Sequence, residues 1–142
     1  MNLTWYPLTA DDRSLYENYY SKIKSDITDL TFHCRYAWNN VFDIQWTIIE
    51  ECLVQISGGG NYTSPFMLMP LGELTKEKIE TIIRAVKPLF DDKGWAFRIC
   101  GITEEVKDLF SQLTLPTKLC YSEAASDYLY DAESLRTLPG KK

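Results

Sequence analysis

The sequence has few of the residues from which common catalytic and metal sites are built. It contains a single histidine, His33, and four cysteines, none of which belongs to a Cys-x-x-Cys pair. A structural zinc site needs four well-spaced ligands, so this spacing argues against one. Each cysteine lies in an apolar run, which predicts small buried thiols. We therefore expect no metal ion and no nucleophile with a recognisable base.

Long apolar runs and an excess of positive charge are also missing. No stretch approaches the roughly 18 apolar residues of a membrane span, and the first residues lack the basic and apolar regions of a signal peptide. Fifteen Lys and Arg against 20 Asp and Glu give a net charge of −5. Such a chain gains little from the counterion release that drives nucleic-acid binding. We expect a cytoplasmic protein without disulfides, and no nucleic-acid binding by this segment alone.

The most informative pattern that is present covers residues 30–56. An apolar period near four gives way within a few residues to a period of two, and the acidic pair Glu50-Glu51 separates two extended runs. This pattern predicts a helix that leads into a tight β-hairpin. The chain is 45% hydrophobic, enough for the packed core of one domain.

Periodicity and capping residues predict the other elements. Further strands are predicted over residues 3–8, 64–71, 95–102, 118–123 and 128–131. Four helices are predicted: the first is capped by Thr9, the second by either Thr28 or Asp29, and the third by Thr75, and the fourth begins at Thr103. A helical turn is predicted over residues 133–138. Pro88 should kink or fray the end of the long helix that follows Thr75.

This order of elements resembles that of the GNAT acyltransferase fold. We therefore expect one α+β domain over residues 1–142, with a mixed sheet flanked by helices. In that fold, a loop with the pattern Q/R-x-x-G-x-G/A holds the pyrophosphate of coenzyme A at a helix N-terminus. The corresponding loop here has one glycine, Gly72, followed by the acidic Glu73, and it has no Arg or Gln. The sequence therefore predicts no coenzyme A and no other cofactor.

Several short motifs follow one another in a fixed order over nearly the whole chain. They occupy residues 32–46, 48–51, 65–66, 70–72 and 128–142. Together they resemble the phosphatidylglycerol lysyltransferase C-terminal domain family, with its T-F-x-N-x-x-x-W-R-D-x-Y-x-I-x-W pattern, acidic hairpin turn, P-F-x-x-P-x-G, and Y-x-Y-D-x-x-x-L-x-x-L-x-G-K-K ending. The resemblance implies two GNAT-like halves, of which this is the N-terminal one, with an aminoacyl or acyl group transferred in or beside the cleft between them.

The chain departs from the family pattern on the predicted second helix. Cys34 stands where the pattern has Asn, and Asn39-Asn40 stand where it has Arg-Asp. If that Arg contacts an anionic group in relatives, Arg35, one helical turn before Asn39, is its possible replacement. The candidate substrate-binding residues are Arg35, Trp38, Asn39 and Tyr62. The alternatives are a solvated polar face for Arg35 and Asn39, core packing for Trp38, and a flexible hairpin loop for Tyr62.

These observations lead to two hypotheses about function. The first is a half of an aminoacyl- or acyltransferase-related protein that is not catalytically competent alone. The second is a non-catalytic binding or interaction module, and a free-standing coenzyme A acetyltransferase is disfavoured by the loop. The expected partner is a second GNAT-like half, or another copy of the chain through an exposed apolar face. An aminoacyl-tRNA or lipid substrate is expected only together with the missing half.

Overall fold

A five-stranded mixed sheet flanked by helices forms the centre of the molecule. The computed structural model describes residues 3–58, 64–121, 123 and 131–137. The strands are β1 (Tyr6–Pro7), β2 (Ile44–Ile49), β3 (Cys52–Ser57), β4 (Met67–Leu68) and β5 (Ile99–Cys100). The helices are α1 (Arg13–Tyr20), α2 (Phe32–Ala37), α3 (Asn39–Phe42), α4 (Lys76–Asp92), α5 (Lys107–Ser111) and α6 (Ala132–Arg136).

The strands lie in the sheet in the order β1-β2-β3-β4-β5. The first three pairings are antiparallel, and β4 pairs with β5 in parallel. A parallel pair needs a crossover connection, and α4 is that crossover. This arrangement confirms the predicted α+β, GNAT-like fold.

The predicted hairpin is present with its predicted turn. Ile44 pairs with Ser57 and Ile49 with Cys52, which leaves Glu50 and Glu51 as the two turn residues. Their φ angles are 51° and 58°, the left-handed values that a type I′ turn requires at both positions. All six residues of β3 are buried, so the hairpin places its second strand at the centre of the sheet.

Helix α4 covers one face of the sheet. It begins where predicted, because the Thr75 hydroxyl accepts a hydrogen bond from the Lys78 N–H at 3.3 Å. The helix continues through Pro88 to Asp92. Its apolar side joins the alternate residues of β3 that point the same way, in a cluster of Cys52, Val54, Ile56, Met67, Ile82, Val86 and Phe90.

Helices α1 and α2 contribute to the second apolar cluster, with residues such as Ile44, Leu53 and Leu68. The buried Tyr16 of α1 donates a hydrogen bond to the Leu30 carbonyl at 2.8 Å. Its ring meets that of Phe32 edge to face, with the ring centroids 5.6 Å apart. These contacts hold the start of α2 against α1.

Several predicted boundaries are wrong. The cap of α2 is Thr31, which accepts from the Cys34 N–H, because Thr28 and Asp29 belong to a separate 3₁₀ turn over Thr28–Leu30. The predicted second helix is also divided at Trp38 into α2 and α3.

The later elements are shorter than predicted. Strands β4 and β5 have two residues each, and α5 begins at Lys107 because residues 104–106 form a turn. In the strand predicted over residues 118–123, residues 118–121 belong to no strand of the sheet. The strand predicted over 128–131 lies outside the described residues except for Asp131, which caps α6.

Candidate functional site

A cleft opens where the parallel strands β4 and β5 end. Its volume is about 340 Å³, within the usual range of small-molecule sites. Three segments form its walls: residues 22–25 after α1, residues 72–74 before α4, and residues 103–109 after β5, with Met69 at the end of β4. The cleft therefore lies at the end of the parallel β4–β5 pair.

Charges of both signs line this cleft. Lys22 and Lys24 come from the loop after α1, and Glu73 and Glu105 come from the two other walls. A hydrogen bond from the buried Thr103 side chain lowers the pKa of the Glu105 carboxyl, which keeps it ionised. Such a lining suits a polar ligand with both charge signs better than a polyanion.

The junction between β4 and α4 is built for packing and not for a phosphate. Gly72 has a φ of 134°, and a Cβ there would lie 3.2 Å from the Glu51 carbonyl oxygen. The glycine is therefore needed because the loop approaches the hairpin closely. The first turn of α4 is capped by Thr75. The pKa of Glu77 is lowered by its own backbone N–H and by the Thr75 side chain, so a carboxylate already occupies this helix end.

Arg35 is half-buried on α2. Its side chain interacts with the Tyr16 hydroxyl. Its Nη2 atom lies 3.5 Å from where a Cβ of Gly101 would be, two residues before the cleft residue Thr103. Its Nε atom is buried and has no hydrogen-bond partner.

Asn39 and Trp38 lie in different surroundings. The Asn39 Nδ2 donates to the Leu8 carbonyl at 2.9 Å, and its Oδ1 accepts from the Ile44 N–H at 2.8 Å. Asn39 therefore joins the end of β1 to the start of β2. Trp38 is 53% exposed, with its ring centroid 5.9 Å from that of Phe42. Arg35, Trp38 and Asn39 do not line the cleft, and Tyr62 lies outside the described residues.

The cleft residues Lys22, Lys24 and Thr103 were not predicted as site residues. Each follows the end of a regular element, a position where sheet-based sites commonly place polar side chains. The chain gives no motif for them, so only their convergence in the fold identifies them.

The cysteines differ from the expectation of uniformly buried thiols. Cys52 is buried, and burial raises the pKa of its thiol, which disfavours the reactive thiolate. Cys34 is half-buried, whereas Cys100 and Cys120 are exposed. Within the described ranges, no three His, Cys, Asp or Glu residues are grouped as a metal site would require.

A mixed sheet with a long helix as the crossover of its parallel pair, and a cleft at the end of that pair, is the architecture of a GNAT-like domain. The chain belongs to the family described as phosphatidylglycerol lysyltransferase, C-terminal, whose sequence model matches residues 20–142. This match confirms the family recognised from the sequence motifs. No curated protein matches the chain.

Two solved structures are similar to this fold. One is a conserved protein of unknown function from Bacteroides thetaiotaomicron, at a TM-score of 0.79 and 24% identity over 99% of this chain. The chain spans 46% of the length of that protein. The other is TTHA1254 from Thermus thermophilus, with a TM-score of 0.46 and 13% identity over 89% of this chain and 100% of that one. The first likeness shows the fold alone.

No helix in the part of the chain that the structure describes is both long enough and apolar enough to cross a membrane.

Proposed function

We propose that this chain is the N-terminal GNAT-like half of an aminoacyl- or acyltransferase related to phosphatidylglycerol lysyltransferase. In this role it shapes the substrate cleft and lacks catalytic competence by itself. The observation that carries the proposal is the family match over residues 20–142, combined with a β4–α4 junction that is already occupied by Thr75 and Glu77. In GNAT-like proteins the donor's phosphates bind at the junction between β4 and α4. A half of a transferase in which this junction is occupied is suited to a supporting role.

The position of the single histidine, His33, supports the proposal that this half does not supply the catalytic base. His33 is exposed on α2, with its ring centroid 6.1 Å from that of the preceding Phe32. It does not line the cleft, so it is poorly placed as a general base for a substrate bound there. A base and a nucleophile would then come from the second half.

Among the four residues predicted to bind substrate, Arg35 is the one we propose to do so. Asn39 has its amide oxygen and nitrogen engaged by backbone groups, which gives it a structural role. Trp38 is exposed, and we propose that it faces the second half. Lys22 and Lys24 add positive charge at the cleft, where the anionic part of a substrate would be attracted.

Transfer assays on the isolated and the joined halves test this proposal. The 142-residue chain and the full reading frame would be compared for lysine transfer from lysyl-tRNA to phosphatidylglycerol vesicles, with acyl-coenzyme A donors in parallel. We expect transfer only by the joined halves. Transfer by residues 1–142 alone would overturn the proposal.

A matched pair of variants then tests the cleft. In the joined protein, Lys22→Met with Lys24→Met should raise KM for the anionic substrate and leave kcat nearly unchanged, because these charges bind without taking part in chemistry. Lys87→Met is the control, since Lys87 is exposed on α4, pairs with Asp91 and does not line the cleft. Equal effects of the two changes would contradict a role for the cleft lysines.

The second candidate function is a non-catalytic binding or interaction module. The acidic Glu73 and Glu77 beside the start of α4 favour it, because they oppose an anionic cofactor. The genomic reading frame after Lys142 discriminates between the candidates. A GNAT-like continuation favours the transferase half, and a stop codon favours the binding module.

A further inference from the structure

The floor of the cleft is mainly apolar. Met69 at the end of β4 is part of the lining and is only 1% exposed. Four more apolar side chains of the lining are half-buried and pack against the same core cluster as Met69: Ile23, Leu74, Val106 and Leu109. A floor of this kind favours a ligand with an apolar group, because that group leaves water when it enters the cleft.

The rim of the cleft carries charges of both signs, which come from different walls. Lys22 and Lys24 follow α1, whereas Glu73 precedes α4 and Glu105 follows β5. All four side chains belong to exposed residues. None of the ion pairs found in the described part of the chain includes any of them. Opposite charges that share a cleft without pairing leave the space between them for a ligand that carries both signs.

Two interactions restrain the charged side chains of the rim. The Lys22 Nζ lies over the Tyr19 ring, 5.0 Å from its centroid, which is a cation–π contact. The Glu105 carboxyl accepts a hydrogen bond from the side chain of Thr103, a residue that is 3% exposed. These contacts order the two side chains before a ligand arrives, so less entropy is lost on binding.

We propose that the cleft binds a zwitterion with an apolar body, the chemistry of a free amino acid or short peptide with an apolar side chain. The carboxylate of this ligand interacts with Lys22 and Lys24. Its ammonium interacts with Glu73 and Glu105, and its side chain packs on the apolar floor.

Charge and size both favour such a ligand. A purely anionic ligand would be repelled by the two glutamates, and a purely cationic one by the two lysines, so like charges disfavour both. The cleft volume of about 340 Å³ is that of about eleven water molecules at ~30 Å³ each. A small zwitterion fits a space of this size.

This proposal deepens the proposed function, because the role of the ligand as a substrate rests on transfer by the joined halves. The ligand keeps its carboxylate free, whereas the amino acid of an aminoacyl-tRNA is esterified. Binding by the isolated chain is measured without transfer. Binding without transfer by the joined halves would therefore refute the proposed function and keep the site, and transfer without binding would refute the site alone.

Isothermal titration calorimetry of the 142-residue chain with matched ligands tests the proposal. Leucine carries all three features, whereas leucinamide lacks the carboxylate, N-acetyl-leucine lacks the ammonium, and free glycine lacks the apolar side chain. Leucine should bind saturably and at least about tenfold more tightly than each of the other three. Equal affinities within this series would overturn the proposal.

A dipeptide separates the two sources of the ligand. Tighter binding of leucyl-glycine than of leucine assigns the cleft to a peptide, and weaker binding assigns it to a free amino acid. A lack of saturable binding by both compounds would overturn the proposal. A response to phosphatidylethanolamine nanodiscs with none to either compound would also overturn it, because the zwitterion would then be a lipid headgroup.

Nuclear magnetic resonance locates the bound leucine. In ¹⁵N–¹H spectra, the backbone N–H signals of the lining residues Gly72, Leu74 and Val106 should shift as leucine is added. The signal of Val54, which is buried in β3 and does not line the cleft, should stay in place. Shifts confined to residues outside the cleft would contradict the proposed site.

Matched variants separate the contributions of the charged walls. Glu73→Gln with Glu105→Gln should remove the preference for leucine over N-acetyl-leucine, and Lys22→Met with Lys24→Met should remove the preference for leucine over leucinamide. Glu104→Gln is the control, because Glu104 is in an exposed ion pair next to Glu105 and does not line the cleft. The control should keep both preferences.

Unchanged preferences in both double variants would contradict the proposal. If a double variant does not fold, the ligand series on the wild-type chain still decides, because it varies the same charges on the ligand.

Discussion

The Glu80 carboxylate accepts two hydrogen bonds from Thr114, one from its backbone N–H at 2.7 Å and one from its hydroxyl at 2.8 Å. The two residues are 34 positions apart, so the contact fixes the segment after α5 against α4. Arg84 pairs with the other carboxylate oxygen at 3.1 Å. The Thr114 N–H, followed by its hydroxyl, lowers the pKa of Glu80 below the ordinary 4.5.

This contact predicts a pH-dependent contribution to stability. Because the folded-state pKa of Glu80 is lowered, its contribution is present above the unfolded value of 4.5 and is lost as the pH falls towards the folded value. Glu80→Gln should therefore lower the thermal midpoint more at pH 7 than at pH 3, as measured by circular dichroism. Glu17→Gln, in an exposed ion pair, is the control. A loss of equal size at both pH values would contradict this account.

Replacement of Asn39 should destabilise the fold. In Asn39→Ala, the Leu8 carbonyl and the Ile44 N–H lose their side-chain partner, which should cost about 2 kcal/mol. The free energy of unfolding from urea denaturation measures the loss. Asn40→Ala is the control, because Asn40 is exposed on the same short helix, and it should be nearly neutral. Similar losses for both variants would refute the structural role of Asn39.

The hairpin turn should be improvable. Glu50 and Glu51 both have positive φ angles, which Asn and Gly adopt more readily than Glu does. The double change Glu50→Asn with Glu51→Gly should raise the free energy of unfolding by about 0.5–1 kcal/mol. Glu51→Gln is the control, since it removes the charge that faces Lys78 and keeps the strained backbone. A gain from the control equal to that of the double variant would assign the effect to charge.

Acetyl-coenzyme A should not stabilise the isolated chain. Glu73 and Glu77 lie beside the start of α4, where GNAT-like proteins hold a pyrophosphate. Gly72 is the one glycine of this loop, and it packs against the hairpin backbone at Glu51. Differential scanning fluorimetry at saturating cofactor should show an unchanged thermal midpoint, with an active GNAT acetyltransferase as the positive control. A clear, concentration-dependent rise would restore the coenzyme A hypothesis.

The isolated chain should self-associate at high concentration. Leu119, Tyr121 and Leu135 are exposed and all follow α5, and we propose that the second half covers them in the joined protein. In sedimentation velocity, the sedimentation coefficient should increase with protein concentration. The double variant Leu119→Ser with Tyr121→Ser should reduce this increase. Tyr36→Ser, at an exposed tyrosine on α2, is the control. A strictly monomeric wild type would argue against the covered surface.

The sequence predicted those elements in which local signals agree with tertiary packing. The helical period after Thr75 matches the buried side of α4. The period of two over Ile44, Trp46 and Ile48 predicted the strand correctly but not its buried face, because Ile48 is exposed and Thr47 is buried. The caps at Thr28 and Asp29 were wrong because a 3₁₀ turn uses the same residue types as an α-helix cap. The short extents of β4 and β5 depend on which residues of neighbouring strands pair, and local patterning does not encode that pairing.

The candidate site was less predictable than the fold. Arg35 was predicted as a ligand contact from a family pattern, but its burial beside Tyr16 and Gln55 follows from how α1 and α2 cross the sheet. Gln55 was not predicted as a site residue, because one polar residue in an apolar strand does not by itself indicate a function. Lys22 and Thr103 are about 80 residues apart in sequence and meet only in the cleft.

The single parallel pairing in the sheet has a consequence for how the chain folds. The β2–β3 hairpin joins neighbouring segments and can form early, whereas β5 reaches β4 only after the whole of α4 has been made and packed. Closing that longer loop should be the late step of folding. Among the strands, native-state amide exchange should therefore be slowest in the buried β3 and fastest in β5. Local unfolding of β5 would also release the cleft wall that follows it.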